Sequence, residues 1–370
     1  MDLFQQSVRG GSNRFAGISR KAALVIVAML LLVIAAGLSV TTGTGSHGAP
    51  ASHAPGESDM ALYRAIISRM RAGDSYRHAA VVEQRARNYP LRPIVAFRPP
   101  TLSLLVSALP SEAWAGVGLQ LLAGLTLVLW VRRVEQGVGS FPALVVGMFV
   151  FATGFSAPLL GEGACMFHEN WAGVLICLSL ALRTERRYAA SVIAAGLAVA
   201  FRELALPFIL VMTGAAWVEG RRREALAFVA AGIVSVTYLA VTWMQVSQLV
   251  LPQDPVSPGW VRFSGWGFVL DTTRWNALVA VGGQVGGVGW RRAVAAVVVP
   301  LALVGAANWR GTGLRLPAVL VGYALGFMII GRPNNSYWGL LTVPLVSLGL
   351  AMAPTALQFL WARCLDVART

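Results

Sequence analysis

The sequence predicts an all-α, polytopic integral membrane protein with about ten transmembrane helices and interfacial helices in its first external loop. Three observations lead there. Hydrophobic residues make up 56% of the 370 and charged residues only 12%, with a mean hydropathy of +0.65, more apolar surface than a water-facing shell can hide. The apolar residues fall in long runs, and arginines punctuate alternate ends of those runs as the positive-inside rule requires. The net charge of +14 is arginine almost throughout, Lys21 being the one lysine, a bias that reads as a GC-rich bacterial genome. No nucleic-acid motif accompanies it, so nucleic acid is not expected as a partner.

Residues 22–40 follow Arg14, Arg20 and Lys21 and are long enough to span, so they read as a retained anchor crossing outward rather than a cleaved signal peptide. Residues 41–111 form a long external segment, and 112–131 return inward to Arg132 and Arg133. Then 141–160 cross outward, 165–182 inward to Arg183, Arg186 and Arg187, 188–201 outward, 204–218 inward to Arg221, Arg222 and Arg223, and 224–246 outward. The stretch 248–292 is rich in Pro, Gly and Trp, and the glycines of "NALVAVGGQVGGVGW" make it a weak span. With that stretch outside, 293–308 return inward to Arg310 and Arg315, 316–330 cross outward and 338–356 come back. This reading gives one domain, 22–356, with cytoplasmic tails 1–21 and 357–370 in the inner membrane of a bacterium. The rival reading, with 276–290 spanning, would strand Arg310, Arg315 and the tail outside. Cys165, Cys177 and Cys364 are odd in number and lie in or beside apolar runs, which favours buried thiols over a disulfide framework.

The external segment opens on "PGESDMALYRAIISRM", where Glu57 and Asp59 stand one residue apart. Met60, Tyr63, Ile66, Ile67 and Met70 then recur at helical spacing, the pattern of a helix lying in the membrane interface. Ionisable groups at a membrane edge are costly, so each is a functional candidate. The predicted outer ends of the spans collect Arg98 in "AFRPPTLSLL", Glu162, His168, Glu169 and Asn170 in "GEGACMFHENWAG", Arg202 and Glu203 in "AFRELALPF", and Arg332, Asn334, Asn335 and Tyr337 in "GRPNNSYWG".

Plainer readings stand beside these. Arg202 and Glu203 suit a structural ion pair, Pro99 and Pro100 suit a helix start, and Trp260, Trp266, Trp275 and Trp338 suit interface anchoring as well as sugar stacking. "HEN" lacks the second histidine of a zinc helix, and "GGQVGGVG" has no strand and helix around it to make a nucleotide loop. The set as a whole suits transfer from a lipid-linked phosphate. Phosphate leaves without a proton donor but needs cations to absorb its charge, and the acceptor hydroxyl needs one well-placed carboxylate as base.

An acidic pair just after the first span, an interfacial helix, and an Arg-Pro-Pro before the next span together resemble the GT-C superfamily of polyprenyl-phosphate-sugar-dependent membrane glycosyltransferases. Glu57-Ser-Asp59 is similar to the family's variable acidic motif, "FRPPTLSLL" to its Pro-rich helix start, "AFRELALPF" to its broken span, and "GRPNNSYWGLLTVPL" to its late external element. The resemblance implies an inverting transferase acting at the external face, with Asp59 as base and Glu57 positioning the acceptor. The motif here is Glu-x-Asp rather than Asp-x-Asp, so which acid is the base stays open. Arg98, Arg202 and Arg332, with His168, Glu169, Glu203, Asn335 and Tyr337, would bind the donor's phosphate or sugar. A polyprenyl-phosphate-linked sugar, a glycan, glycolipid or protein acceptor, and membrane lipids are the implied partners. No cofactor is expected, and a divalent metal stays open without being expected. A transporter or flippase, and a non-catalytic membrane subunit of an envelope polysaccharide assembly complex, are the alternatives.

Overall fold

The computed structural model describes residues 13–41, 59–134 and 141–365. Among them the regular structure is helical, with three isolated bridges and no named strand. In chain order the α-helices are α1 (Arg20–Thr41), α2 (Asp59–Arg71), α3 (Tyr76–Ala86), α4 (Thr101–Ala108), α5 (Glu112–Val134), α6 (Phe141–Ser156), α7 (His168–Leu182), α8 (Ala189–Phe201), α9 (Leu206–Val218), α10 (Arg222–Ser247), α11 (Gly265–Thr272), α12 (Ala277–Asn308), α13 (Arg315–Ile329) and α14 (Val343–Leu365). Five of these, α1, α5, α10, α12 and α14, are long and apolar enough to cross a membrane, and shorter apolar helices lie among them. The protein is a helical membrane protein.

Several packed helix pairs run antiparallel. Gly37 of α1 meets Ala296 of α12 while Ala23 clusters with Phe359 and Leu360 of α14, so α1 runs against both. Gly147 and Gly154 of α6 meet Ala351 and Ser347 of α14 in reversed order. Trp171 stacks on Phe201 at 5.1 Å and Ser179 bonds Ser191, which makes α7 and α8 antiparallel. Arg315 reaches Glu219 at one end of α13 and Tyr323 donates to the Leu204 carbonyl near the other, setting α13 against α9. Helix α14 is the axis, 83% buried over its most apolar window, whereas α1 is 17% buried and peripheral. Helices α12 and α14 run parallel and cross where Gly305 faces Gly349. A Cβ at Gly305 would collide with the Gly349 carbonyl and one at Gly349 with that of Ala302, the small-residue contact that lets membrane helices approach closely.

Helix α12 is two helices. Gly286 (φ −135°, ψ 18°) and Gly287 (φ 72°, ψ −158°) break it. A Cβ on Gly282 would touch Val294 and one on Gly283 would touch Arg291, although residues eight or twelve apart in a straight helix stand about 12 to 18 Å apart. The short arm therefore folds back along the long one, and Arg292 closes the hairpin's base on Asp271 with bonds of 2.8 and 2.7 Å. The weak span at 276–290 comprises this short arm, the break and the first residues of the long arm.

One expectation needs correction. The apolar stripe of α2 does not face lipid: Leu62, Tyr63, Ile66 and Ile67 are buried where α2 packs against α3 and α4. Packed structure extends into both stretches expected as tails, 1–21 and 357–370. The Phe15 amide donates to Asn308 Oδ1 at 3.0 Å and Asn308 Nδ2 to Asn13 Oδ1 at 3.0 Å, so residues 13–19 cover the end of α12. At the other terminus α14 continues to Leu365, its last turns buried at Phe359 and Leu360. Cys165 and Cys177 are free buried thiols and Cys364 is free.

Candidate functional site

The end of the bundle opposite Phe15 and Arg315 gathers the polar residues singled out in the sequence. Asp59 is the first residue of α2, where a carboxylate complements the helix dipole. Tyr89, just beyond α3, donates its hydroxyl to Asp59 Oδ1 at 3.0 Å. Glu57 lies outside the described residues.

Arg98 is held by its backbone from several directions. Tyr76 donates to the Arg98 carbonyl at 2.6 Å, Trp243 Nε1 to the Phe97 carbonyl at 3.4 Å, and Thr101, which opens α4, to the Ala200 carbonyl at 2.6 Å. Pro99 and Pro100 stiffen the approach to α4, and the Arg98 guanidinium is left facing two partners: Tyr337, whose hydroxyl accepts at 2.8 Å, and Glu203, 3.9 Å away. Burial alone would lower the Arg98 pKa, but the Tyr337 and Tyr63 hydroxyls and the carboxylates of Glu203 and Glu169 hold it well above its ordinary value. Burial pushes the Tyr63 and Tyr337 hydroxyls up, against the pull of Arg98. Both tyrosines also feel Asp59, which places that carboxylate within electrostatic reach of the same cluster.

Helices α7 and α8 bring in the buried charges. The Trp171–Phe201 stack sets the start of α7 against the end of α8, and Trp171 Nε1 and Asn170 Nδ2 fasten the turn before α7 by donating to the Cys165 and Ala164 carbonyls, each at 2.9 Å. Helix α8 stops at Phe201, and a short 3-10 turn, Glu203–Ala205, precedes α9. Arg202 in this break is fully buried. Its Nε lies 2.6 Å from Glu169 Oε1, close but too poorly aligned for a hydrogen bond, and its Nη1 pairs with Glu203. The indole of Trp338 lies under the guanidinium, 5.9 Å away.

His168, the first residue of α7, packs edge-on against Tyr63 at 5.0 Å and lies within electrostatic reach of Arg98 and Arg202. Neither of its ring nitrogens has a hydrogen-bond partner, nor have Arg202 Nη2 and Glu203 Oε2, although all are buried. Buried polar atoms are normally paired, so a cluster of unpaired ones points to a polar ligand or water.

The segment 331–341 closes the site. Asn335 Oδ1 accepts from the backbone and Nε of Arg332, each at 3.3 Å, while the Arg332 guanidinium lies over Trp260 at 5.9 Å. Burial lowers the Arg332 pKa, with Arg262 and Arg98 acting the same way. Phe167 joins the Tyr337 and Trp275 rings at 6.3 and 6.2 Å, Trp275 Nε1 donates to the Ser336 carbonyl at 3.1 Å, and Arg274 sits over Trp275 at 5.1 Å.

The structure thus brings Asp59, Arg98, His168, Glu169, Arg202, Glu203, Arg332, Asn335 and Tyr337 to one end of the bundle. Among them Arg202, expected on the donor phosphate, has no exposed surface and lies between Glu169 and Glu203. Sequence reading missed Tyr63, Tyr89, Phe167 and Arg274. Only Tyr63 carried a signal, as part of the α2 stripe; Tyr89 and Phe167 sit in irregular segments and Arg274 in a short 3-10 turn, where periodicity is silent. Of the four tryptophans, Trp338 is buried beside Arg202, while Trp260 and Trp275 are partly exposed beside Arg332 and Arg274. No group of three or more His, Cys, Asp or Glu placed to hold a metal occurs among the described residues. Compared with protein-family models, with curated proteins and with solved structures, the chain matches none.

Proposed function

We propose that this protein is an inverting glycosyltransferase of a bacterial inner membrane, crossing it ten times with both ends inside and moving a sugar from a polyprenyl-phosphate donor to an acceptor hydroxyl at the outer face. The ten spans are α1, α5 to α10, the long arm of α12, α13 and α14, and their alternating directions agree with the arginine distribution. The acceptor oxygen attacks the anomeric carbon, the carbon–oxygen bond to phosphate breaks, polyprenyl phosphate departs with the bonding pair, and the acceptor proton passes to Asp59. Arg98 and Arg332 stabilise the charge growing on the leaving phosphate, and His168 offers a ring N–H to it. Tyr89 orients Asp59, and Arg202 with Glu169 sets the position of Glu203 beside Arg98.

The observation that carries this reading is the convergence of a half-exposed carboxylate, Asp59, with the cations Arg98 and Arg332 and the unpaired His168 at one end of an apolar bundle. Purified protein in nanodiscs, given a panel of polyprenyl-phosphate sugars and an acceptor, is expected to release free polyprenyl phosphate. Arg98→Gln should slow that release about 100-fold, the usual scale for losing one charge-stabilising donor. Undiminished release by the variant, or none from any donor, would overturn the proposal.

A transporter is the second reading, because a charged break between two apolar segments, here at Arg202 and Glu203, also marks transport pathways. Cysteines placed at 202 and 203 would then label from both sides of the membrane; under the transferase reading they label from one side at most.

A further inference from the structure

The opposite end of the bundle holds a second cluster that the transferase reading does not use. The last turn of α5, the end of α7, the α9–α10 connection and the start of α13 meet there around a cavity of about 520 Å³. Arg133, Arg183, Arg221, Arg310 and Arg315 line it together with Glu185 and Glu219. Part of this is a closed ion-pair network. Glu224, buried, accepts from Arg183 at 2.8 and 3.0 Å and from Arg315 at 3.1 Å, and Glu219 meets Arg315 at 2.5 Å and Arg221 at 3.2 Å. Arg221 also reaches Glu185 at 3.1 Å.

The network does not balance. Arg133 meets no carboxylate; it donates to the Leu180, Ala181 and Arg183 carbonyls, capping the end of α7. Arg310 is exposed, and its side chain makes no hydrogen bond or ion pair among the described residues; its carbonyl accepts from the Gly313 amide at 2.9 Å. Five arginines against the three glutamates leave two positive charges in excess. Two buried polar atoms here also lack partners, Nε of Arg315, which lines the cavity, and Oγ1 of Thr312 in the adjoining loop. That loop is shaped for close approach. Gly313 has φ +61°, and a Cβ there would stand 3.1 Å from Glu219 Oε1 and 3.3 Å from Arg315 Nη1.

We propose that this cavity binds the phosphate group of a phosphate ester. Guanidinium forks match tetrahedral oxyanions in geometry as well as charge. Fixing several arginines round a cavity with excess positive charge is unfavourable until an anion enters. A volume of about 520 Å³ falls in the usual range of ligand pockets and leaves room for a substituent beyond the phosphate. The ester is a phospholipid headgroup of the adjacent leaflet or a soluble phosphate.

Full-length protein in phosphatidylcholine nanodiscs would be titrated with glycerol 3-phosphate at constant ionic strength. In a parallel arm, native mass spectrometry would follow retention of short-chain phosphatidylglycerol. Arg310→Gln is the variant of choice because the side chain makes no hydrogen bond or ion pair among the described residues, and an unchanged thermal midpoint without ligand checks that the fold does not need it. Arg310→Lys serves as the conservative partner. Saturable glycerol 3-phosphate binding, weakened about 10-fold by Arg310→Gln and partly restored by Arg310→Lys, supports a soluble ester. Retention of phosphatidylglycerol alone, lost in Arg310→Gln, supports the headgroup. Absence of binding in both arms, or binding indifferent to Arg310, overturns the proposal.

Discussion

Tyr89 donates its hydroxyl to Asp59 Oδ1 at 3.0 Å, tying the residue that opens α2 to the loop that follows α3. Under the proposed reaction the bond would leave the other carboxylate oxygen for the acceptor. Tyr89→Phe removes the donor and keeps the ring, so turnover should fall about 10-fold, the scale of one charge-assisted hydrogen bond, while the thermal midpoint shifts little. Steady-state release of polyprenyl phosphate and a melting curve on the same preparation check both halves.

Arg202 and Glu169 stand 2.6 Å apart with side-chain exposures of 0% and 3%. Removing one member of a buried pair leaves the other charge unpaired, a cost of about 3 to 5 kcal/mol. Glu169→Gln should therefore lower the melting midpoint and the yield sharply. Pairing it with Arg202→Met should recover part of the loss, since no buried cation is then stranded. Additive losses in that double variant would show that the two do not act as a pair.

Asp254 contributes an acid dependence to the loop that follows α10. Arg85 clasps both its oxygens at 2.7 and 2.8 Å, and those bonds, together with the Leu251 amide, hold the Asp254 carboxyl below its ordinary value. A group whose folded pKa is depressed contributes stability above its unfolded value, about 3.9, and loses it as pH falls through the folded value. The melting midpoint should be level above about pH 5 and drop below about pH 4. Asp254→Asn should lower it near neutral pH and flatten part of that acid limb.

The Gly305–Gly349 crossing sets the spacing of α12 and α14. Gly349→Leu forces the helices apart or bends one of them, and overpacking of this kind costs about 1 to 3 kcal/mol. A lower melting midpoint with unchanged helical content by circular dichroism is expected.

Helix positions were legible wherever apolar runs end in arginine. The runs 22–40, 112–131 and 224–246 appear as α1, α5 and α10 with ends displaced by a few residues. The α12 hairpin was half legible: glycines marked 276–290 as a poor span, but only the conformation of Gly287 shows that the chain doubles back. Amphipathicity placed α2 correctly as a helix and misjudged its surroundings, because Ile66 and Ile67 look the same whether lipid or α4 covers them. The polar set of the candidate site was visible residue by residue through the cost of placing charge near lipid. Its pairing was not. Nothing local says that Arg202 is enclosed by Glu169, 33 positions away, or that Tyr89 reaches Asp59, since such pairs arise only from helix packing.

Asp59 as the base that activates the acceptor is the central claim. The most direct measurement is the release of free polyprenyl phosphate over time from a turned-over donor, with wild type and Asp59→Asn compared at equal folded concentration. The account predicts that Asp59→Asn keeps its melting midpoint and helical content but loses release by at least about 100-fold, the lower range for removing a general base. Release at the wild-type rate by the folded variant would contradict it.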